Sequence, residues 1–327
     1  MPAPHATIVV VPRDHFGDAR ESLESIYAST DVPFDLVYVD GKSPPPVARY
    51  LREQSTARGF RLIRTEHYLS PNTARNLGAR DVQTRYIAFV DNDVVVAKGW
   101  LGPLIECAEA TGASIVGPLN FESRPLHTNV HFSGGEAGVA EQDVNGHRER
   151  HVVDKIFKRV PAGRQRTGCA EFHCMMVRTG DFRRIGGLDE KMLSTRENLD
   201  FCMAIAAAGG SIYIEPRSHI TYLPPIHMDL ADVPYFALRW SDDWDLASFK
   251  HFIRKWDLEE DAYFQNQYRN LGWRRRGLMM RGALLRWMPY WRARAAAERV
   301  LRPLERKVNS VIARRYSDSQ HRAPTGA

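Results

Sequence analysis

Short apolar segments alternate with helical segments through the first 118 residues, and this alternation restricts the fold more than any other feature. The strand-like segments are 6–12, 34–40, 60–65, 85–91 and 113–118. The segments with helical spacing are 18–29, 45–59, 70–79 and 100–112. Strands that alternate with helices favour a parallel sheet with helices on its faces. The sequence therefore predicts an α/β fold with a mostly parallel, doubly wound sheet.

Boundary residues agree with this pattern. Ser70 suits an N-cap and Pro71 suits the first helical position, while Gly59 and Gly112 are suited to end helices. The periodicity is lost over 119–165, where we predict loops and short antiparallel pieces above a crevice.

Order returns after this stretch. Residues 170–192 predict a strand, a turn and a short helix, and 197–216 predict a helix, a Gly-Gly stop and a strand. We predict an α/β domain over 1–230 and a helical, basic extension over 231–327.

Two of the predicted strands end in carboxylates, at Asp40 and Asp91, and Asp93 follows two positions later. A buried carboxylate is costly unless it is paired or holds a cation. In doubly wound sheets, ligands bind outside the carboxyl ends of the strands, so Asp40 and Asp91 are expected in one crevice. The D-x-D pair suits a hard cation such as Mg²⁺ or Mn²⁺. The alternative is a solvated turn with one aspartate as a helix cap.

Six blocks of the chain, in order and spacing, resemble the family 2 glycosyltransferases over about residues 6–225. The blocks are IVVVPRDHFGDARESLESI, VYVDGKS, NTARNLGA, AFVDNDVVV, MMVRTGDFRRIGGLDEKM and TRENLDFCMAIAAAGGSIYIEP. The resemblance implies the GT-A fold, a nucleotide-sugar-binding α/β sandwich of Rossmann type. It also implies a nucleotide-sugar donor, with a UDP-sugar expected first.

The resemblance assigns donor-binding roles to Pro12, Asp40, Arg75 and Asp91. It implies that Asp40 accepts a hydrogen bond from the base, that Arg75 approaches the pyrophosphate, and that Asp91 contacts the ribose and metal-bound water. It places the metal at Asp91 and Asp93. One departure is Gly41, followed by Lys42, where the family has a second aspartate.

The catalytic base is expected at Glu197 or Asp200, which lie three apart and share a helix face. The resemblance implies that an acidic residue in this block deprotonates the acceptor hydroxyl, with inversion at the anomeric carbon. Asn198 stands where many members have aspartate, and Glu197 is the preferred candidate. Family members often complete the metal site with a later histidine. Tyr222 stands near the expected position, with His219 and His227 nearby, and the sequence does not select one of the three.

The four cysteines, Cys107, Cys169, Cys174 and Cys202, form no C-x-x-C pair, which indicates a reducing compartment and no disulfide framework. Cys169 and Cys174 flank His173, but no fourth ligand has matching spacing, so zinc is not predicted.

The chain has a net charge of +6, yet residues 273–315 alone carry +11 and the remainder carries −5. Tryptophans and methionines interrupt the arginines, as in a basic amphipathic helix on an anionic membrane surface. The alternative is a packing face with a solvated basic side. No nucleic-acid-binding module accompanies the charge, and no run of about 18 apolar residues occurs. Without a secretory leader pattern, we expect a cytoplasmic protein at the inner face of the plasma membrane.

The sequence therefore predicts a hexosyltransferase that uses a nucleotide diphosphate sugar, Mn²⁺ or Mg²⁺, and an acceptor hydroxyl that it does not specify. One alternative is a phosphatase similar to haloacid dehalogenases, in which Asp91 would be a nucleophile. Three strands precede Asp91, whereas that motif lies near the start of its domain. A second alternative is a non-catalytic sugar-binding relic, kept open by Gly41, Lys42 and Asn198.

Overall fold

The computed structural model describes residues 4–225, 228–281 and 291–320. The strands are β1 (Ala6–Val11), β2 (Phe34–Gly41), β3 (Arg61–Thr65), β4 (Tyr86–Asp91), β5 (Val94–Val96), β6 (Ile115–Glu122), β7 (Val130–Phe132), β8 (Gly135–Val144), β9 (His147–Ile156), β10 (Gln165–Thr167), β11 (Cys174–Arg178) and β12 (Ile212–Tyr222). The helices are α1 (Ala19–Ser29), α2 (Pro45–Arg58), α3 (Pro71–Ala79), α4 (Leu101–Thr111), α5 (Thr179–Arg184), α6 (Glu197–Ala207), α7 (Val233–Arg239), α8 (Asp242–Trp256), α9 (Ala262–Arg269), α10 (Trp273–Arg281) and α11 (Trp291–Gln320).

The main sheet has the strand order β10-β12-β6-β11-β4-β1-β2-β3, with β5 beside β12 and β7 beside β6. Strands β4, β1, β2 and β3 are parallel, as are β6 and β12. Strand β11 runs antiparallel between these two groups. The α/β class and the largely parallel sheet are thus confirmed. A strand within 170–192 was predicted, but not the antiparallel direction of β11. Strand β11 begins at the edge where β4 ends, and the Asp91 N–H bonds to the His173 carbonyl at 3.1 Å.

The helices cover both faces of the sheet because successive strand residues point to opposite sides. On one face, Val10 packs in a cluster with Leu23 of α1 and Leu104 of α4. On the other face, Val9 packs in a cluster with Phe201 of α6. Every predicted strand and helix of the first 118 residues is present. Most ends shift by a residue or two, and β6 extends to Glu122, four residues past its predicted end.

Helix α3 lies very close to β1 and β2, and a glycine permits this approach. A Cβ on Gly78 would lie 2.4 Å from Val9 Cγ1 and 3.0 Å from Val39 Cγ2. The close packing directs Arg75, one turn earlier on α3, onto the sheet edge. Ser70 occupies the predicted N-cap position, but its hydroxyl bonds to the Thr73 hydroxyl instead of a helix N–H.

The stretch predicted as short antiparallel pieces contains a hairpin of two long strands, β8 and β9, paired over ten residue pairs. Its turn uses Asn145 and Gly146, with φ of 55° and 80°, which suits a tight hairpin turn. Val139 and Val152 of the hairpin pack in a cluster with Leu199 of α6.

The helices after residue 230 pack directly on the α/β body. Tyr235 and Leu238 of α7 share an apolar cluster with Phe16, Tyr68 and Ala313 of α11. The division at 230, still a prediction, coincides with the change to helical structure. The two segments nevertheless share buried apolar side chains.

Candidate active site

The predicted donor and metal residues converge at the edge where the parallel strands β1, β2 and β4 end. Asp40 is the second-last residue of β2, Asp91 is the last residue of β4, and Arg75 reaches the edge from α3. Asp93 lies between β4 and β5. Arg75, Asp91 and Asp93 are fully buried, and Asp40 is 1% exposed. The chain therefore places several charges in its interior at one point.

Asp91 is held by two arginines. Its Oδ1 accepts a hydrogen bond from Arg75 Nη2 at 2.8 Å, and its Oδ2 lies 3.5 Å from Arg13 Nη1 and 3.4 Å from His173 Nδ1. Burial opposes ionisation of this carboxyl, but Arg75, Arg13 and His173 outweigh it and lower its pKa to about 2. Asp91 is consequently an anion at neutral pH.

Asp93 has no such support. Neither of its carboxylate oxygens has a hydrogen-bond partner among the described residues, although both are buried. Burial, and then the charges of Asp14 and Asp91, raises the pKa of Asp93 well above its ordinary range. An unpaired buried carboxylate is costly, and a bound cation would remove that cost.

The donor atoms at this point fit a divalent cation. Asp91, Asp93 and His173 each place one ligand atom within 4.8 Å of the others. Asp91 Oδ2, both Asp93 oxygens and His173 Nδ1 are also buried atoms without a hydrogen-bond partner. The arrangement leaves donor atoms free where a cation would be expected.

The predicted third ligand was His219, Tyr222 or His227. His219 and Tyr222 belong to β12, and both make other contacts. The Tyr222 hydroxyl donates to Asp14 at 2.8 Å, and the Tyr222 ring stacks on His173 at 4.1 Å. A ring nitrogen of His219 contacts a backbone carbonyl at 2.9 Å. His227 lies outside the described residues. His173 reaches the site because β11 pairs with β4, a contact that no local spacing signals.

Asp40, expected to bind the nucleotide base, already has two partners. Its Oδ1 accepts a hydrogen bond from the Ser43 backbone N–H at 2.8 Å, and its Oδ2 pairs with Arg64. Sequence reasoning did not single out Arg64. Pro12, the other residue expected at this end, is buried, and its carbonyl accepts a hydrogen bond from Tyr235 at 3.2 Å.

The C-terminal helix reaches the same end of the site. Tyr316 of α11 packs on Tyr68 with a ring-centre distance of 5.1 Å. Lys42, two positions after Asp40, lies over both rings at 5.4 and 5.7 Å.

The two candidate bases have different surroundings. Glu197 Oε1 lies 3.0 Å from Arg239 Nη2 and 3.6 Å from Arg13 Nη1, and Glu197 lines an open cleft. Asp200 faces α8, where it accepts hydrogen bonds from Lys255 Nζ and Trp256 Nε1, both at 2.8 Å. Burial raises the pKa of Asp200 despite these partners. Of the two acids, Glu197 is the one that lines the cleft.

This central cleft is lined by Arg13, Glu171, Glu197, Trp240 and Arg274, among other residues. The Trp240 ring has the Arg274 guanidinium at 4.1 Å and the Arg13 guanidinium at 5.8 Å. Trp240 and Arg274 come from the segment that sequence reasoning separated from the site, so the C-terminal helices form part of the cleft wall.

The fold is that of the GT-A glycosyltransferases. The family model described as Glycosyl transferase family 2 matches residues 8–185. The chain belongs to this family.

Individual relatives are more distant. Uncharacterized protein y4gI of Sinorhizobium fredii is 24% identical over 274 residues, which is 80% of this chain and 29% of that protein. Pre-mycofactocin glycosyltransferase of Mycobacterium tuberculosis is 28% identical over 163 residues, which is 48% of this chain and 30% of that protein. The chain therefore spans less than a third of the length of these relatives.

A solved structure with a similar fold is that of GalNAc-T7 with UDP, GalNAc and Mn²⁺. It superposes with a TM-score of 0.52 at 15% identity, over 82% of this chain and 54% of that one. At this identity, the similarity concerns the fold.

Proposed function

We propose that the protein transfers a hexosyl group from a nucleotide diphosphate sugar to an acceptor hydroxyl, with inversion and with Mn²⁺ or Mg²⁺. The observation that carries the proposal is the unpaired, buried carboxylate of Asp93 beside Asp91 at the carboxyl edge of the sheet. The solved GalNAc-T7 structure, which holds UDP, GalNAc and Mn²⁺, supports a UDP-sugar and a divalent cation.

In this proposal, Asp91 and Asp93 hold the cation, which when bound stabilises negative charge on the leaving diphosphate. Arg75 has two buried donor atoms, Nε and Nη1, that have no partner in the described structure. These N–H groups are free to donate to a phosphate oxygen, as expected for a residue that approaches the pyrophosphate. Asp40 and its partner Arg64 would contact the base.

Glu197 is the proposed general base. Arg239 and Arg13 both contact its Oε1, so the carboxylate is fixed at the cleft wall. It takes the proton from the acceptor hydroxyl as the acceptor oxygen attacks the anomeric carbon. Attack opposite the leaving diphosphate inverts that carbon. We propose a structural role for Asp200 in anchoring α8, because both its oxygens accept hydrogen bonds from that helix.

A thermal-shift screen tests the proposed donor. We expect a UDP-sugar with Mn²⁺ to raise the melting temperature more than either component alone, because a ligand that binds the folded state stabilises it. Product analysis with a sugar acceptor then tests transfer. Release of phosphate from a generic phosphomonoester would favour the phosphatase instead. Donor binding without turnover would favour the sugar-binding relic.

We also propose that the C-terminal extension binds an anionic membrane surface. Among the described helices, none has the length and apolar character to cross a bilayer. In α11, Glu305, Asn309 and Ala313 are buried. Between residues 302 and 316, the exposed side chains of α11 include Leu304, Val308, Val311, Arg306, Lys307, Arg314 and Arg315. An exposed face that mixes apolar and basic side chains suits a lipid interface.

Replacing Leu304, Val308 and Val311 together with serine should strongly reduce sedimentation with anionic liposomes. These side chains are 60%, 51% and 62% exposed, so the change removes lipid contacts without opening the core. Each basic residue near the surface contributes about 1 kcal/mol, so part of the binding should persist at low salt.

A matched control replaces Ile156 and Val160, which are 54% and 49% exposed on another part of the chain. The control should sediment like the parent. If the parent does not sediment with anionic liposomes at low salt, or if the α11 variant sediments with them as well as the parent does, this surface does not bind membranes. Residues 282–290, which the sequence analysis included in the basic stretch, lie outside the described residues.

A further inference from the structure

A second group of metal-ligating side chains lies beside the aspartate pair. His131 of β7 and Glu171 and His173, which precede β11, each place one ligand atom within 4.8 Å of the others. Their side chains are 26%, 16% and 5% exposed, and all three line the central cleft. The group is therefore reachable from solvent, unlike the buried Asp93.

A carboxylate lies beside the Nδ1 atom of each histidine. His131 Nδ1 lies 3.0 Å from Glu122 Oε2, and His173 Nδ1 lies 3.4 Å from Asp91 Oδ2. A neutral imidazole that directs its Nδ1–H at a carboxylate has its lone pair on Nε2, the arrangement common among metal-bound histidines.

The geometry at Glu171 needs a positive charge. His131 Nε2 lies 3.4 Å from Glu171 Oε2. A nitrogen lone pair and a carboxylate oxygen that face each other repel unless a proton or a cation lies between them. In the metal-free chain a proton on Nε2 satisfies this contact, with Glu122 on Nδ1. A cation held jointly by His131 and Glu171 would take the place of that proton.

We propose that His131, Glu171 and His173 form a second cation site, selective for a transition metal of the Zn²⁺ type. Two imidazoles and one carboxylate are a Zn²⁺ donor set, whereas the oxygens of Asp91 and Asp93 suit a harder ion. Three protein ligands leave a fourth position, open to water or to a substrate oxygen in the cleft.

His173 is common to the aspartate site and to the site with His131 and Glu171, and its chemistry decides which of the two it joins. A neutral His173 presents a single lone pair, so it can ligate at only one of them. Because Asp91 faces its Nδ1, we assign His173 to the site with Glu171. The aspartate site then keeps an all-oxygen donor set. This proposal stands independently of sugar transfer, since it concerns metal binding alone.

Zinc binding by the full chain, stripped of metal, tests the proposal by equilibrium dialysis, with Co²⁺ absorption as a spectroscopic readout of imidazole ligation. We expect one tightly bound Zn²⁺, lost in His131→Ala and retained in Asp93→Asn. Glu122→Gln, which removes the carboxylate beside His131 Nδ1, should weaken binding about 10- to 100-fold. His147→Ala, on the exposed turn of the β8–β9 hairpin, is the matched control and should bind as the parent does.

Several results would overturn the proposal. One is a parent chain without a tight Zn²⁺, and another is unchanged binding in His131→Ala. A third is loss in Asp93→Asn with retention in His131→Ala, which would place the ion at the aspartate pair. If His131→Ala fails to fold, the isosteric Glu171→Gln decides by the same measurement. Donor binding with Mn²⁺, measured in parallel, reports separately on the proposed function.

Discussion

Replacing Asp93 with alanine or asparagine should abolish the dependence of donor binding on Mn²⁺ and lower sugar transfer about a thousandfold. A metal ion supplies several kcal/mol of charge stabilisation to such a transition state, and about 4 kcal/mol corresponds to that factor. Calorimetric titration of the donor with and without Mn²⁺, together with transfer rates, measures both effects.

The same substitution should leave the fold as stable as the parent, or more stable, when no divalent cation is present. Both Asp93 oxygens are buried without a hydrogen-bond partner in the described structure, so burial of this carboxyl group opposes folding until a cation binds. Asp35→Asn, at an exposed position on β2, provides the control. Equal donor affinity of Asp93→Ala and the parent, each with Mn²⁺, would remove Asp93 from the metal site.

Glu197→Gln should retain donor binding and lower transfer by about 10²- to 10⁴-fold, the range expected when a general base is lost. The amide preserves the size of the side chain and an oxygen that can accept from Arg239, but it cannot take the acceptor proton. Single-turnover transfer rates and donor dissociation constants, compared between the two proteins, separate catalysis from binding.

Asp200→Asn is the matched variant, since it makes the same chemical change on the same helix. We expect it to transfer sugar normally and to lose stability, because Asp200 bonds to Lys255 and Trp256. Loss of transfer in Asp200→Asn with normal transfer in Glu197→Gln would move the base to Asp200. Normal transfer in both variants would place the base elsewhere.

The parts of the fold and site that the sequence predicts depend on local signals and one general rule. The periodicity of strands and helices depends on residues that are close together in sequence. For this reason β1 to β4 and their helices lie where they were predicted. The rule that parallel strands end at one edge then brings Asp40 and Asp91 to the same side of the sheet. Neither step requires knowledge of distant contacts.

Contacts between segments that are distant in sequence cannot be predicted from such local patterns. His173 meets Asp91 only because β11 enters the sheet antiparallel, and Glu197 meets Arg239 across 42 positions of the chain. For a related reason, the net charge of the C-terminal segment overstates how basic its surface is. The net charge summed over 273–315 counts Arg275 as if it were exposed, although Arg275 is buried in ion pairs with Glu305 and Asp242.

In the proposed donor site, the contact of Tyr316 with Tyr68 would place the C-terminal helix in one thermodynamic cycle with the nucleotide. Asp40 is only 1% exposed, and Lys42, two positions later, lies over the rings of Tyr68 and Tyr316. A base that bound Asp40 as proposed would therefore select a conformation in which this edge is open. If the open form were 1% of the population, the apparent dissociation constant would rise about 100-fold. By reciprocity, whatever holds α11 away from Tyr68 would then strengthen nucleotide binding by the same factor by which the nucleotide weakens the packing of the helix.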